Sequence, residues 1–210
     1  MTKNAEGSLP PLQKDPMYFT PEETRAYFDL FLSMIPERIE VLESSLRAYY
    51  GVDSALLDRT PDSLIYVWRW FLANVKTVKT PPMVLRRIRN LYSDRPKEIA
   101  DRMVDASRER FSSGTELMIR DIAMYLSEVF LKNDPSVYWT YYDKPKTDFF
   151  VNKPVLGGFA DTAYEPPFKM FFEPVHMVGV QAAKVWDNSA DENDLLKLYE
   201  LWAGKVLKEE

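Results

Sequence analysis

The chain has 210 residues, of which 46% are hydrophobic and 14% aromatic, and its formal net charge is −5. This length suits one domain with a substantial apolar core, and the composition excludes a disordered chain. There is no cysteine, which excludes disulfides, thiol nucleophiles and iron–sulfur ligation and favours a cytoplasmic protein.

The charge and the hydropathy pattern bear on the partners that the protein can have. A net negative charge argues against nucleic-acid binding by the whole surface. No segment reaches the ~20 apolar residues of a membrane span, so we expect no membrane association. The charge is uneven, because residues 76–110 hold ten basic and five acidic side chains, a local charge of +5 that leaves −10 elsewhere.

The N-terminal segment predicts a leader followed by a helix. Residues 1–19 are polar and contain prolines, which favours a flexible leader. The sequence Thr20-Pro21-Glu22-Glu23 predicts a helix start, because threonine can cap free amides, proline suits the first turn, and acids favour the positive helix end. Apolar residues then recur at helical spacing, and Pro36 predicts a kink or an end of this helix.

Similar signals predict further helices. Thr60-Pro61-Asp62 and Thr80-Pro81-Pro82 repeat the cap-and-proline pattern, and Pro96 is predicted to begin a helix that runs to about Phe111. Residues 116–131 are the most apolar segment and predict a central, buried helix. Repeated helix starts joined by short turns predict an antiparallel helical layer.

The periodicity changes after residue 133. The ranges 137–142, 149–156 and 168–172 are rich in β-branched and aromatic residues, and turn residues such as Gly157-Gly158 separate them. These runs predict a small antiparallel sheet of two to four strands, a β-meander over residues 136–172.

The predicted fold class is therefore a mostly helical α+β protein, in which an antiparallel helical layer packs with a small antiparallel β-sheet. We expect a single α+β domain over residues 20–210. It comprises a helical part at 20–133, the meander, and C-terminal helices within 174–207 that begin at Glu173-Pro174 and Asp191-Glu192.

Several short motifs of the C-terminal half follow one another in a fixed order. They are Tyr125-Leu126-Ser127-Glu128, Trp139, Asn152-Lys153-Pro154-Val155-Leu156, Phe172-Glu173-Pro174, Asp194-Leu195-Leu196 and Tyr199. This order resembles small uncharacterised bacterial domains that carry a tyrosine-leucine-glycine-glutamate motif, a tryptophan strand and a proline-led helix. The resemblance covers residues ~115–205, with Ser127 in place of the glycine. It implies an immunity or accessory protein and no assigned catalytic residue.

A carboxylate and the only histidine lie three residues apart, at Glu173 and His176. On a helix this spacing aims both side chains to one side, as in the carboxylate–histidine metal sites of helical bundles. Asp121 and Glu128 could complete such a site. The alternative is a histidine near a helix start that is hydrogen-bonded to its neighbours, and we expect no bound cofactor.

Asp121 and Glu128 lie seven residues apart in the apolar helix, and hence on nearly the same stripe of its surface. Two carboxyl groups in a cleft of low polarity can acquire different pKa values and act as acid and base. The alternative is structural, since Arg120 or arginines of the preceding helices could pair with both acids.

The basic helix after Thr80 carries Arg86 and Arg87, which could bind phosphates or an acidic partner. Nearby acids such as Asp94 and Asp101 favour an ion-paired surface as the alternative. Trp139 and Tyr141 belong to an aromatic run that could stack on a carbohydrate or a base, pack in the core, or form a protein interface.

Two functions stay open at this stage. The sequence favours a noncatalytic protein that binds another protein, such as an immunity-like or accessory factor, because no motif for catalysis is recognisable. The alternative is a metal-dependent or acid–base enzyme that uses Asp121, Glu128, Glu173 and His176.

Overall fold

The computed structural model describes residues 14–143 and 147–207, and within these ranges the chain is a mostly helical α+β protein, which confirms the predicted fold class. The α-helices are α1 (Pro21–Tyr50), α2 (Ser63–Asn74), α3 (Pro82–Leu91), α4 (Lys97–Ala106), α5 (Ser113–Asn133), α6 (Pro174–Ala183) and α7 (Asp194–Ala203). The strands are β1 (Thr77–Lys79), β2 (Glu109–Phe111), β3 (Tyr138–Tyr141), β4 (Pro154–Asp161) and β5 (Phe168–Phe172). None of the helices in these ranges combines the length and apolar character that crossing a bilayer requires.

The contacts of the chain divide it into two compact units. Unit 1 contains the described residues up to Ala73 together with those from Met118 onward, and unit 2 is Asn74–Leu117. The single-domain organisation over residues 20–210 stays a prediction. Of the predicted leader, residues 1–13 lie outside the described part, and Pro16–Tyr18 form a 3-10 turn that Asp15 caps.

Helix α1 begins as the sequence predicts. The Thr20 hydroxyl accepts a hydrogen bond from the Glu23 amide at 3.2 Å, and the Glu23 carboxylate accepts one from the Thr20 amide at 2.7 Å, a reciprocal capping box. The helix then continues through Pro36 to Tyr50, so Pro36 does not end it. Pro36 is itself exposed, and the hydrogen bond that it forfeits is offset by burial of the opposite, apolar side of the helix, which includes Ile35 and Leu42.

The central helix of unit 1 is α5, and the prediction that it is buried is confirmed. Every residue from Asp121 to Ser127 is buried, as are Val129 and Phe130. The Phe130 ring contacts Phe159 of β4, Phe172 of β5 and Tyr199 of α7, with ring centroids 4.7–5.5 Å apart. One aromatic side chain of α5 thus connects the sheet with the C-terminal helix.

The sheet of unit 1 is an antiparallel β3-β4-β5 meander in which β4 is central. Strand β4 begins at Pro154 rather than at residue 149, because Asp148 caps a turn there through the Phe150 amide. The expected turn at Gly157-Gly158 is wrong, since both glycines lie within β4 at a β-bulge.

A backbone contact explains why glycine is needed at Gly158, whereas Gly157 meets only the end of the Tyr138 side chain, which is 55% exposed and free to move aside. A Cβ atom on Gly157 would lie 2.8 Å from the Tyr138 ring, and one on Gly158 would lie 2.3 Å from the carbonyl oxygen of Ser136. Gly158 also has a φ of +98°, which side chains other than glycine rarely adopt. Close approach of the segment that leads into β3, rather than reversal of the chain, accounts for Gly158.

Unit 2 contains a helix pair and a two-stranded ribbon. Helix α3 begins at Pro82, close to the predicted start, but the predicted cap at Thr80 is wrong, since Pro81 is the N-cap and no side chain caps the helix. Helix α4 ends at Ala106, short of the predicted end at Phe111. The remaining residues form β2, which pairs antiparallel with β1. The sequence lacked a signal for this ribbon because both strands have three residues and are mostly exposed.

We expect Gly158→Ala to lower the free energy of unfolding by about 2 kcal/mol or more, because the added Cβ overlaps a backbone carbonyl and the φ angle is unfavourable. Urea unfolding followed by circular dichroism measures this change. Gly179→Ala in α6 is the control, since a Cβ there meets nothing within 4 Å, and it should leave stability unchanged or raise it slightly. Equal effects of the two substitutions would contradict the packing argument.

Candidate functional site

Asp121 forms a buried ion pair with Arg38 of α1. The Arg38 Nε donates to Asp121 Oδ1 at 2.8 Å, and its Nη2 donates to Oδ2 at 2.6 Å. Both residues are buried, with 8% of Arg38 and 5% of Asp121 exposed. Arg38 lies on the same face of α1 as Ile35 and Leu42, so this pair crosses the apolar interface between α1 and α5.

The ion pair influences the pKa values of both Asp121 and Arg38. Burial raises the pKa of Asp121, and the two hydrogen bonds and the charge of Arg38 oppose this rise. The hydrogen bond to Asp121 raises the pKa of Arg38. Because each carboxylate oxygen already accepts a charged hydrogen bond, the role that the geometry gives to Asp121 is structural pairing with an arginine of a preceding helix.

Glu128 lies two turns further along α5 and has different surroundings. Its carboxyl group is half-buried and makes no hydrogen bond within residues 14–143 and 147–207. Burial raises the pKa of Glu128, and the nearby charge of Arg59 opposes the rise. The structure therefore separates the two predicted carboxylates, since Asp121 is paired and Glu128 is left open.

Glu128 borders a groove in unit 1 with a volume of about 380 Å³, which we call the Glu128 groove. Residues of α1, α5, β3 and the segment before α2 line it: Leu32, Ile35, Pro36, Ile39, Arg59, Glu128 and Trp139. Trp139, predicted as a binding residue, thus shares a groove with Glu128, which was predicted as catalytic.

Arg59 enters the groove from an unusual backbone conformation. Its φ angle is +59°, which is uncommon for a residue other than glycine. Its amide donates to the Tyr125 hydroxyl at 3.4 Å, and its carbonyl accepts from the Asn133 side chain at 2.9 Å. The guanidinium group pairs with Glu43 at 3.2 Å. Contacts with α1 and α5 therefore hold Arg59 at the groove.

Glu173 and His176 lie at the start of α6, as predicted, but their side chains have different partners. The Glu173 carboxylate caps the helix by accepting from the amides of Val175 at 3.3 Å and His176 at 2.6 Å. Burial raises the pKa of Glu173, and the His176 amide is the main opposing influence. Within the described part of the chain, no group of three histidine or acidic side chains is arranged to hold a metal ion.

The imidazole of His176 contacts aromatic rings. Its centroid lies 5.5 Å from the Phe149 ring and 5.4 Å from the Phe150 ring, both in edge-on geometry. The Lys153 Nζ lies 3.7 Å from the Phe149 ring centroid, a cation–π contact. Partial removal from water, followed by the positive charge of Lys153, lowers the pKa of His176.

Trp139 and Tyr141 lie two residues apart on β3, and both pack against α1. Trp139 meets Phe31 at 5.4 Å and Tyr141 meets Phe28 at 5.5 Å, each edge to face. Tyr141 also borders a second pocket, of about 420 Å³, next to the 3-10 turn before α1. The two aromatic residues thus face a helix and belong to different pockets, rather than forming one stacking platform.

Arg86 and Arg87 lie on α3 in unit 2, and both are exposed. Other basic residues of this unit form ion pairs, as Arg89 does with Asp101 at 3.2 Å and Arg108 with Asp105 at 2.8 Å. No ion pair to Arg86 or Arg87 occurs among the residues that the structure describes. The expected ion-paired surface therefore accounts for part of the basic helix and leaves these two arginines open.

Large apolar side chains accompany these arginines. Met83 is 79% exposed, Leu91 is 71% exposed and Val84 is also exposed. Met83, Arg87 and Leu91 are spaced four residues apart, so they lie on one side of α3. We call the set Met83, Val84, Arg87 and Leu91 the α3 face; Arg86 lies beside it.

Two arginines that shape these sites, Arg38 and Arg59, were not among the predicted site residues. Arg38 carried a signal, because a charged residue within an apolar helical stripe requires a buried partner. Arg59 carried none, because its positive φ and its contacts with Tyr125 and Asn133 depend on segments that are distant in the chain.

Comparison with protein-family models, curated proteins and solved structures finds no match to this chain. The resemblance of residues ~115–205 to small bacterial domains therefore stays a prediction.

We expect Asp121→Leu to lower the free energy of unfolding by about 3–5 kcal/mol, because it leaves the Arg38 charge buried and unpaired. The double variant Arg38→Met with Asp121→Leu should recover most of this loss, since no charge then remains in the interface. Urea titrations of the single and double variants measure both values.

The exposed pair Arg69–Glu192, at 2.7 Å, is the control. Glu192→Ala should cost less than about 1 kcal/mol, because solvent screens this pair. A double variant of Arg38 and Asp121 that is as unstable as Asp121→Leu alone would contradict the assignment of the loss to an unpaired charge.

His176 is the only histidine, so its Hε1 proton gives a single imidazole resonance for an NMR pH titration. We expect its midpoint below the ordinary value of about 6.5, and Lys153→Met should move it upward. Since the folded state then binds protons less readily than the unfolded state, His176 lowers stability as the pH falls through about 6.5. His176→Gln should reduce that part of the slope. A midpoint at or above 6.5 in the wild type would refute this electrostatic account.

Proposed function

We propose that the chain is a noncatalytic protein-interaction factor that binds an acidic partner protein through the α3 face. The observation that carries the proposal is the exposure of Met83 and Leu91 on the helix that also presents Arg86 and Arg87 without ion pairs among the described residues. Large exposed apolar side chains beside unpaired charges on one side of a helix are typical of interaction surfaces.

The composition of the face favours a protein partner. Methionine and arginine are enriched in protein interfaces, and arginine also contributes strongly to binding energy. The positive charge of residues 76–110 would attract an acidic surface and raise the association rate. Apolar groups beside the arginines would gain from contact with apolar side chains, which a nucleic-acid backbone does not offer.

The use of the carboxylates in unit 1 supports a noncatalytic role. Both oxygens of Asp121 bind Arg38, and both oxygens of Glu173 accept amides at the start of α6. These acids stabilise helices and their packing, which accounts for their burial without a reaction.

We extend the proposal to a cytoplasmic accessory or immunity-like factor of bacterial type. Its support is the resemblance of residues ~115–205 to such domains and the absence of cysteine from the chain. An immunity-like factor acts by binding another protein, which agrees with a role for the α3 face.

Affinity capture from native host cells, with the full chain as bait, tests this proposal. We expect one stoichiometric protein, whose recovery falls at least about tenfold with Met83→Ser plus Leu91→Ser and also with Arg86→Glu plus Arg87→Glu. Higher salt should weaken the wild-type interaction, because part of the attraction is electrostatic.

Leu201→Ser in α7 is the matched control, because Leu201 is 61% exposed and lies in unit 1. It should leave recovery unchanged, and all variants should keep the wild-type melting temperature. Equal recovery with both α3 double variants would refute the proposal, as would salt-sensitive capture of nucleic acid in place of a protein.

A further inference from the structure

Helix α3 carries an apolar stripe that the described part of the chain does not bury. Val84, Ile88 and Leu91 recur at spacings of four and three residues, so they lie on one side of the helix. None of the ten residues of α3 is buried, although Leu85 and Ile88 are half-buried. An amphipathic helix of a folded protein gains most of its stability by burying such a stripe. The stripe of α3 is therefore available to a binding partner.

One edge of the stripe faces α4. Arg89 pairs with Asp101 of α4 at 3.2 Å, and the two helices are in contact. Arg87 and Leu91 point about 160° away from Arg89 around the helix axis, since successive residues of an α-helix are about 100° apart. The side of α3 that lies away from α4 is thus the α3 face, on which Met83 is 79% and Leu91 71% exposed.

The open side of α3 fits a second helix. Met83, Arg87 and Leu91 follow at four-residue spacing and form a ridge about 12 Å long. Ridges of this spacing pack into the grooves of another helix. An extended segment has no edge to pair with, because the amides and carbonyls in the middle of α3 bond within the helix.

Arg87 favours a protein over a membrane surface. It is exposed and lies between Met83 and Leu91 in the ridge, and no ion pair to it occurs in the described part of the chain. A bilayer that covered both apolar neighbours would draw this charge toward its apolar layer, whereas a protein can bring a carboxylate to pair with it. Arg86, also exposed, lies on the other side of Met83 around the axis. The pattern therefore favours a partner with one acid in the middle of an apolar contact and another at its border.

We propose that the α3 face binds an acidic amphipathic α-helix of the partner protein. The apolar side of that helix packs on Met83, Val84 and Leu91. One carboxylate pairs with Arg87 and a second with Arg86, so that α3 lies between the bound helix and α4. The inference rests on the proposed function, because it names the segment of the partner that the α3 face receives.

Four synthetic peptides test this inference with the full chain. The first has about 21 residues, or six helical turns, with leucine along one side, glutamate beside the leucines and alanine elsewhere. The second spreads the same leucines around the helix, the third has lysine in place of glutamate, and the fourth has two central alanines replaced by proline. Fluorescence anisotropy of a label on each peptide measures binding. We expect saturable binding of the first and at least about tenfold weaker binding of the others, which lack the stripe, the charge or the helix.

Reversal of the charge at Arg87 tests the central pair. Arg87→Glu should bind the glutamate peptide at least about tenfold more weakly than the wild type does, and the lysine peptide more tightly. Arg25→Glu is the matched control, because Arg25 is an exposed arginine of α1 in unit 1 and the substitution changes the charge equally. It should leave both affinities at their wild-type values. Melting curves followed by circular dichroism check that both variants fold as the wild type does.

Other occupants of the α3 face give different results. Failure of the glutamate peptide to bind, equal binding of the proline peptide, or unchanged affinity of Arg87→Glu for the glutamate peptide each overturns the inference. So does sedimentation of the chain with vesicles of phosphatidylcholine and phosphatidylglycerol, or self-association in analytical ultracentrifugation, if Met83→Ser plus Leu91→Ser abolishes it. The first result would indicate a membrane surface and the second another copy of the chain.

The failure of this inference is distinguishable from that of the proposed function. If the α3 double variants lose the protein captured from host cells but the glutamate peptide does not bind the wild type, the face is an interaction surface and the helical occupant is wrong. If capture is also insensitive to these variants, both are wrong.

Discussion

The ion pair between Arg38 and Asp121 is the constraint on which the packing of unit 1 depends. Two charges are buried between α1 and α5, and each would cost several kcal/mol if it were left alone. Apolar faces tolerate small shifts along a helix axis, whereas two short bidentate bonds form at only one register of the helices. The pair therefore selects how α1 lies on α5, and it does so from within the apolar core.

That register determines the different roles of the two acids on α5. Asp121 and Glu128 are seven residues apart and point in nearly the same direction, so sequence spacing treats them alike. Asp121 meets an arginine of α1, whereas Glu128 meets the turn of α1 that contains Pro36. The proline and the apolar side chains there offer no donor, and the nearby Arg59 pairs with Glu43, so the second acid is left beside a groove.

Local signals in the sequence predicted the starts of α1 and α6, because capping at Thr20 and Glu173 involves residues within three positions of each other. Signals that depend on distant contacts misled or were missing. Gly157 and Gly158 resemble a turn until β3 is known to cross them closely. The candidate site was predictable in part. The spacing of acids on α5 pointed to Glu128 and the aromatic run pointed to Trp139. Arg59 was not predictable, because it reaches the groove through contacts with Tyr125 and Asn133, which are distant in the chain.

The groove and the α3 face present different chemistry to a ligand. The α3 face is exposed and positively charged, which suits a macromolecule that can cover a helix. The Glu128 groove has an apolar wall from α1 beside an acid that makes no ion pair among the described residues, which suits a small group that enters it. A molecule bound there would contact α1, α5 and β3 at once, and binding to the folded state alone stabilises it by mass action. Occupancy of the groove would then reinforce the helix register that the buried ion pair selects.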